Sequence, residues 1–276
     1  MNRFKIDIGK LLLTLISVQL YGQSLSFELE SVIPVPEWES VEQWDYIAAN
    51  VLGELYLLDR ETGQCIHSSA TGEILHTFGG IGLDQGGLAE PVDILVKNTQ
   101  VIIADYSGDA LVWLDRNLNW ISNDKRPNLT PTMMTEVVNE IAVYSYDQTT
   151  IFRRYTKYWD ETPFIDLALE NSPLCIAALS GNRAGELATL SCDGQIVTIY
   201  SSIGKKLMQV VTYLEEAEFI LPQGRSWIIL NREGQYHVLK GGDGTLPLNN
   251  RKIIDLSLSS GKMIILTEHE ILFFVE

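Results

Sequence analysis

This sequence is poor in cysteine, histidine and basic residues. Among 276 residues there are three cysteines (Cys65, Cys175 and Cys192) and four histidines (His67, His76, His237 and His269). Three cysteines cannot frame a disulfide-dense domain, and neither residue type recurs at zinc-ligand spacing. Basic side chains number 20 against 36 acidic ones, a formal net charge of −16. A chain of that sign repels phosphate backbones and anionic headgroups, which argues against nucleic acid as a partner. There is no Gly-x-Ser-x-Gly elbow and no P-loop; Gly241-Gly242-Asp243-Gly244 precedes no helical pattern and reads as a hairpin loop. No apolar run reaches the roughly 20 residues that span a bilayer. No segment of the chain past the leader holds a 3.6-residue apolar period over three turns.

The N-terminus reads as a secretory leader. Arg3, Lys5 and Lys10 precede the run Leu11–Leu20, and Tyr21-Gly22-Gln23-Ser24 supplies small and polar residues at a cut after Gly22. The Leu-Tyr-Gly-Gln ending resembles signal peptides of the Bacteroidetes. Residues 1–22 are therefore expected to be a signal peptide and 23–276 the mature domain. Its expected address is periplasmic or secreted, with no stable membrane insertion after cleavage. Removal of the leader leaves 17 basic and 35 acidic side chains, a net −18.

Beyond the leader, short alternating or apolar runs are divided by Gly, Asn, Asp and Pro, the pattern of many short antiparallel strands. These runs repeat. Gly53-Glu54-Leu55-Tyr56-Leu57-Leu58-Asp59 matches Thr99–Asp105, Asn139–Tyr144, Gly185–Leu190, Arg225–Leu230 and Gly261–Leu266. The spacings of 46, 40, 46, 40 and 36 residues each hold about four strand-like runs. A period near 40 with four strands is the signature of propeller blades. The expected fold is an all-β, six-bladed β-propeller. Its sixth unit contains three runs, and Leu25–Val32 is expected to close the ring by pairing with the last blade, removing two free edges. Irregularity between Tyr155 and Asp166 leaves five or seven blades open, and a β-sandwich is the rival architecture.

The stretch Phe78-Gly79-Gly80-Ile81-Gly82, then Gly86-Gly87-Leu88-Ala89-Glu90-Pro91-Val92-Asp93-Ile94, then Val101-Ile102-Ile103-Ala104-Asp105 resembles an NHL repeat. The likeness is good over residues 73–115, partial in the first unit and weak later. It implies a six-bladed propeller and little about activity, since that fold hosts ligand binding, protein binding and enzymes. Related propellers include lactonases and other metal-dependent hydrolases, but their ligand pattern is not found here.

Aligning the units on their second strands puts Asp45, Asp93, Met133, Cys175, Glu218 and Asp255 early on the six inner strands. Asp45, Asp93, Glu218 and Asp255 would then form a partial acidic ring at the channel mouth, able to attract a cationic ligand or a divalent cation such as calcium. The plainer reading is that each carboxylate accepts backbone N–H groups from a neighbouring blade. Asp59 and Asp105 read as turn formers. Trp44, Trp113, Trp120 and Trp159, with the loop Gly79–Glu90, offer an aromatic surface, although Trp113 and Trp227 fit core packing better. Cys175 and Cys192 fall nearly opposite each other on paired runs; a bridge there is geometrically demanding, and two buried free thiols are the expectation. The functional expectation is a monomeric, exported, non-catalytic propeller holding a protein, peptide or glycan at one rim. The alternative is a metal-dependent hydrolase or lyase with a divalent ion on the channel carboxylates.

Overall fold

The computed structural model describes residues 25–39, 41–82, 86–97, 99–155 and 158–276. The expected signal peptide lies outside them. The first strand, β1 (Glu28–Pro34), is set apart in sequence from its sheet. Blade 1 follows as β2 (Tyr46–Ala49), β3 (Leu55–Leu58), β4 (Gln64–Ser68) and β5 (Ile74–Gly79), and blade 2 as β6 (Pro91–Lys97), β7 (Gln100–Asp105), β8 (Ala110–Asp115) and β9 (Trp120–Lys125). Blade 3 is β10 (Pro131–Val137), β11 (Glu140–Ser145), β12 (Thr150–Arg154) and β13 (Ile165–Asp166). Blade 4 is β14 (Ile176–Gly181), β15 (Leu187–Ser191), β16 (Ile196–Tyr200) and β17 (Lys206–Val211). Blade 5 is β18 (Ala217–Gln223), β19 (Ser226–Asn231), β20 (Gln235–Val238) and β21 (Asp243–Thr245). Blade 6 is β22 (Asp255–Ser259), β23 (Lys262–Leu266) and β24 (Glu270–Val275), with β1 as its outer strand.

The six sheets are separate four-stranded antiparallel meanders, and the fold is the six-bladed propeller that the repeat implies. The irregular third unit is resolved as a blade whose outer strand has shrunk to two residues, paired only with Thr150 and Ile151. Ring closure takes the expected form. Glu28 pairs with Val275 and Pro34 with Glu270, so the first strand completes the last sheet.

The second strand of each blade explains why the repeat is so legible. It is sandwiched between two strands of its own sheet and two neighbouring blades, so both faces are buried. Leu55, Leu57, Val101, Ile103, Ala142, Val143, Leu187 and Ile229 have no exposed surface. Such strands read as continuous apolar runs, not alternating ones. The core is accordingly divided into clusters, each between two adjacent blades. Tyr56 and Leu58 of blade 1 pack with Val101 and Ile103 of blade 2, and Leu55 and Leu57 pack on the other side with Ile264 and Leu266 of blade 6.

This arrangement makes closure the stability-determining event. Deleting residues 25–34 is expected to uncover Ile271 and Phe273 on the blade 6–blade 1 side and to lower the melting temperature more than Phe274→Ala. The latter substitution alone removes a fully buried ring, at a cost of about 3–5 kcal/mol. Calorimetric melting of the two variants checks the order.

Candidate functional site

The inner strand of every blade opens with the same irregularity. In blades 2 to 5 the register slips by one residue near the start of the strand, between Pro91 and Asp93, Pro131 and Met133, Ile176 and Ala178, and Ala217 and Phe219. In blades 1 and 6 the same bulge appears as two residues facing one. Asp45 N–H donates to Leu58 O while Tyr46 pairs with Leu58, and Ile254 N–H donates to Leu266 O while Asp255 pairs with Leu266. A β-bulge re-aims side chains at a sheet end. The first bulge residues are Asp45, Val92, Thr132, Ala177, Glu218 and Ile254; the second are Tyr46, Asp93, Met133, Ala178, Phe219 and Asp255.

This register separates the four candidate carboxylates into two pairs. Asp93 and Asp255 occupy the second position and point into the cleft toward the next blade. The Asp93 carboxylate accepts Ile94 N–H at 2.8 Å through Oδ1 and, across the cleft, Met134 N–H through Oδ2. Asp255 Oδ2 accepts Ile47 N–H of blade 1 at 2.7 Å. Both carboxylates clamp one blade to the next. Asp45 and Glu218 occupy the first position, at the channel mouth, and engage a turn of their own blade. Asp45 Oδ2 accepts Arg60 N–H at 2.8 Å, and Glu218 Oε2 accepts Arg232 Nε–H at 2.6 Å. The alignment that placed Cys175 in this set was shifted, because Ala177 holds the first position in blade 4 and Ala178 the second.

Between the two clamps sits Tyr46, on blade 1 with Asp255 on one side and Asp93 on the other. Burial, then the Asp93 charge, pushes its phenol well above the ordinary tyrosine range. Burial pushes Asp93 up to about 8, against the opposing pull of the Met134 N–H. It pushes Asp255 up to about 7, against the Ile47 and Leu256 N–H groups. Asp45 is also raised, mainly by desolvation, with Arg60 N–H opposing. The channel, about 1080 Å³, is lined by the inner strands of all six blades. Among the described residues no group of three or more His, Cys, Asp or Glu side chains is gathered as a metal site. Each of the four carboxylates already accepts at least one hydrogen bond from a backbone N–H or an arginine.

A second ring surrounds the mouth, one or two residues beyond each second strand: Arg60, Tyr106, Tyr146, Cys192, Arg232 and Glu268. All are exposed except the half-buried Tyr106. Each follows a buried polar residue that holds its turn or a neighbouring segment. Asp59 accepts Glu61 and Thr62 N–H, Asp105 accepts Ala89 and Glu90 N–H, and Asn231 Oδ1 accepts Gln235 N–H. Asp59 is thus a turn former as its position implied, while Asp105 reaches across to the connection from blade 1. The tips also bond to their surroundings: Arg60 pairs with Glu90 at 2.8 Å, Ser107 donates to Glu90, and Tyr106 O–H donates to Asp147 at 3.2 Å. Sequence reasoning missed this ring, although the aligned repeat starts placed it seven residues on from each.

At the fourth position of the ring the expectation of two buried free thiols is overturned. Cys175 and Cys192 are bridged, with Cα atoms 5.4 Å apart, and Cys192 is exposed. The bridge is accommodated because Cys192 N–H also donates to Cys175 O, which brings the two backbones to disulfide range. Cys65 is the free cysteine, fully buried. The tryptophans divide. Trp44 and Trp227 are buried, so Trp44 contributes nothing to an aromatic surface, and its indole N–H donates to Pro36 O. Trp113 packs between blades 2 and 3 together with Trp159. Trp120 remains exposed.

No protein-family model matches the sequence, and no curated protein matches it. The resemblance to NHL repeats therefore remains a likeness of one stretch. Solved structures do match. The fold is similar to that of virginiamycin B lyase from Staphylococcus aureus (10% identity, TM-score 0.61, covering 91% of this chain and 100% of that one). It is also similar to YCF48 bound to D1 peptide (12%, 0.59, 92% and 97%) and to BamB from Moraxella catarrhalis (10%, 0.54, 91% and 98%). These likenesses define the class as β-propeller. At such identities they carry the fold alone.

Two expectations follow. The raised Asp93 and Asp255 bind protons more tightly folded than unfolded. Their contribution to stability is therefore full below the unfolded carboxylate range, near pH 4, and is lost as pH rises through about 7 to 8. Melting temperature should fall over that window, and Asp93→Asn, which removes one titrating group, should flatten the fall. In addition, the 17-residue separation closed by the disulfide should make Cys192→Ser cost about 3 kcal/mol in chemical unfolding. A thiol reagent should label nothing in the native protein and two cysteines after reduction, because burial raises the Cys65 thiol and leaves it inert.

Proposed function

We propose that this protein is an exported recognition propeller, which holds a protein or peptide against the rim where the inner strands begin. The observation that carries the reading is the mouth ring. Six geometrically equivalent turns stand on an invariant framework and present unlike tips: two arginines, two tyrosines, a disulfide and a glutamate. Turns of fixed shape with varied, exposed ends on a rigid scaffold are how loop-borne recognition sites are built. Arginine and tyrosine are also the residue types that dominate protein-binding surfaces.

The exposed carboxylates add a preference. Asp147, Asp193, Glu215, Glu216 and Glu268 lie on the same rim, exposed, in a chain of net charge −16. They favour a ligand with a basic character and steer it to the mouth. The arginines are already paired with Glu90 and Glu218, so they serve as oriented donors more than as free positive charge. Export is supported by residues 1–22 and by the disulfide, since such bridges persist in oxidising compartments. One structural neighbour, YCF48 bound to D1 peptide, supports a propeller of this size in such a role, and the reading borrows no partner from it.

The test is site-specific photo-crosslinking in the producing cell. A photoreactive phenylalanine placed at Tyr146 is expected to capture a defined partner protein. The same probe at Val138, exposed on the opposite rim, is expected to capture none. Capture only at Val138, or at neither position, would overturn the assignment of the rim.

A further inference from the structure

The exposed apolar side chains are unevenly spread. Among the described residues, five of the eighteen large ones fall within the eleven residues 203–213: Ile203, Leu207, Met208, Val211 and Tyr213, each between 38% and 91% exposed. They make an exposed apolar stripe, with Leu207, Met208 and Val211 on β17 and Ile203 and Tyr213 flanking it; among the described residues β17, the outer strand of blade 4, pairs with β16 on one side and with no strand on the other. From Leu207 to Leu214 the sequence contains no charge, glycine or proline.

Free sheet edges invite pairing, and proteins normally blunt them with charge, proline, brevity or bulges. The other five blades follow that rule more closely. β1 carries Glu28, Glu30 and Pro34, and β9 ends in Asp124 and Lys125. β13 and β21 have two and three residues. β5 exposes one large apolar residue, Leu75. On β17 the only charge is Lys206, and its ammonium is turned away onto the Glu170 and Asn171 carbonyls, where it cannot guard the edge. A bulge disturbs the first two residues, but Met208 to Val211 are in regular register. Thr212 N–H donates to Gln195 O, which fixes the alternation: Met208 and Val210 bond toward β16, and Gln209 and Val211 direct N–H and C=O outward.

The geometry points to this edge as a strand-addition site, where an extended partner segment with alternating apolar residues and a basic N-terminus joins blade 4 as a fifth, antiparallel strand. The main chain supplies the bonds and the stripe receives alternate side chains. The basic end follows from charge. The C-terminal end of β17 leads into exposed Glu215 and Glu216, with Asp193 on the adjacent turn. In an antiparallel complex that end meets the N-terminus of the added strand. The same charges oppose a second copy of this chain, which brings another −16 to the contact. The strand edge lies apart from the turns of the mouth ring and shares with that rim only its acidic end, Glu215, Glu216 and Asp193.

The probe is a fluorescent synthetic peptide of two lysines followed by three Val-Thr repeats, titrated into the mature protein and followed by anisotropy. Saturable binding is expected. Gln209→Pro removes an outward N–H without breaking a bond to β16, and is expected to weaken binding at least tenfold. Thr77→Pro, at the matching position of β5, should change it less than twofold. The double variant Leu207→Lys, Val211→Lys should weaken binding at least tenfold too, and serves if Gln209→Pro does not fold. The proposal is overturned if the peptide does not bind. It is also overturned if both edge variants bind it as the parent does, or if the parent is a dimer that Gln209→Pro makes monomeric, since the edge then belongs to a second copy.

Discussion

Everything in this structure depends on the fact that no blade can bury its own faces. A four-stranded meander has two surfaces and no core, so its second strand is covered only when a blade stands on each side. The clusters that join Leu57 to Leu266 and Tyr56 to Ile103 are interfaces, two of the six that together form the hydrophobic core among the described residues. Such a core exists only when the circle is complete. This is why β1 belongs to the last blade, placing a covalent connection where a plain ring would have only an interface. The hydrophobic term, acting on each pair of blades, thereby becomes cooperative over the disc.

The same constraint sets the electrostatics of the channel. Wherever the inner strands start, backbone N–H groups face the crevice between blades and require acceptors. In two of the six crevices an aspartate supplies one, reaching from Asp93 to Met134 and from Asp255 to Ile47. Further along the strands Thr135 Oγ1 does the same for Gly181 N–H between blades 3 and 4. A carboxylate is a stronger acceptor than a hydroxyl but is costly to desolvate, and burial wins here, which is why both aspartates hold their protons to near neutrality. Their raised affinities arise from a structural duty. A perturbed carboxyl in a cleft is a sound reason to look for chemistry, and these show that satisfying a backbone can produce the same signature.

The architecture was legible because its cause is local and repeated. Continuous apolar runs such as Val101–Ala104 can form only where both faces are covered, and six such runs at a period near 40 leave few arrangements. The repeat runs Gly185–Leu190 and Gly261–Leu266 become the strands Leu187–Ser191 and Lys262–Leu266, shifts of one or two residues. The details that were lost are those a one-residue slip decides. The inner-strand bulge inserts one residue at the start of each blade, so a linear alignment merged Asp45 and Glu218 at the mouth with Asp93 and Asp255 in the crevices. The same slip hid Tyr46, which lies between the two clamps. The disulfide was misjudged for a related reason. Facing strands were inferred correctly, but the carbonyl of Cys175 accepting the Cys192 amide, which brings the backbones close, is invisible in residue spacing.

The mouth ring shows how such a scaffold becomes specific. Its six turns share a framework because each must cap a buried second strand, and that requirement falls on the residue before the tip: Asp59, Asp105, Ser145, Ser191, Asn231 or Thr267, all buried and polar. The tip itself is outside the packing problem. Arginine, tyrosine, cysteine and glutamate can alternate there without altering the core, so identity at these positions is left to whatever the rim must touch. Outer strands are under the opposite pressure. They too lie outside the core, but an unguarded edge offers backbone bonds to any passing segment, so variation there tends toward charge and brevity. β17 departs from that tendency from Leu207 to Val211 with no gain in packing, since Leu207, Met208 and Val211 face water. A cost of that kind in one blade of six is better explained by a contact the edge makes than by the needs of the fold.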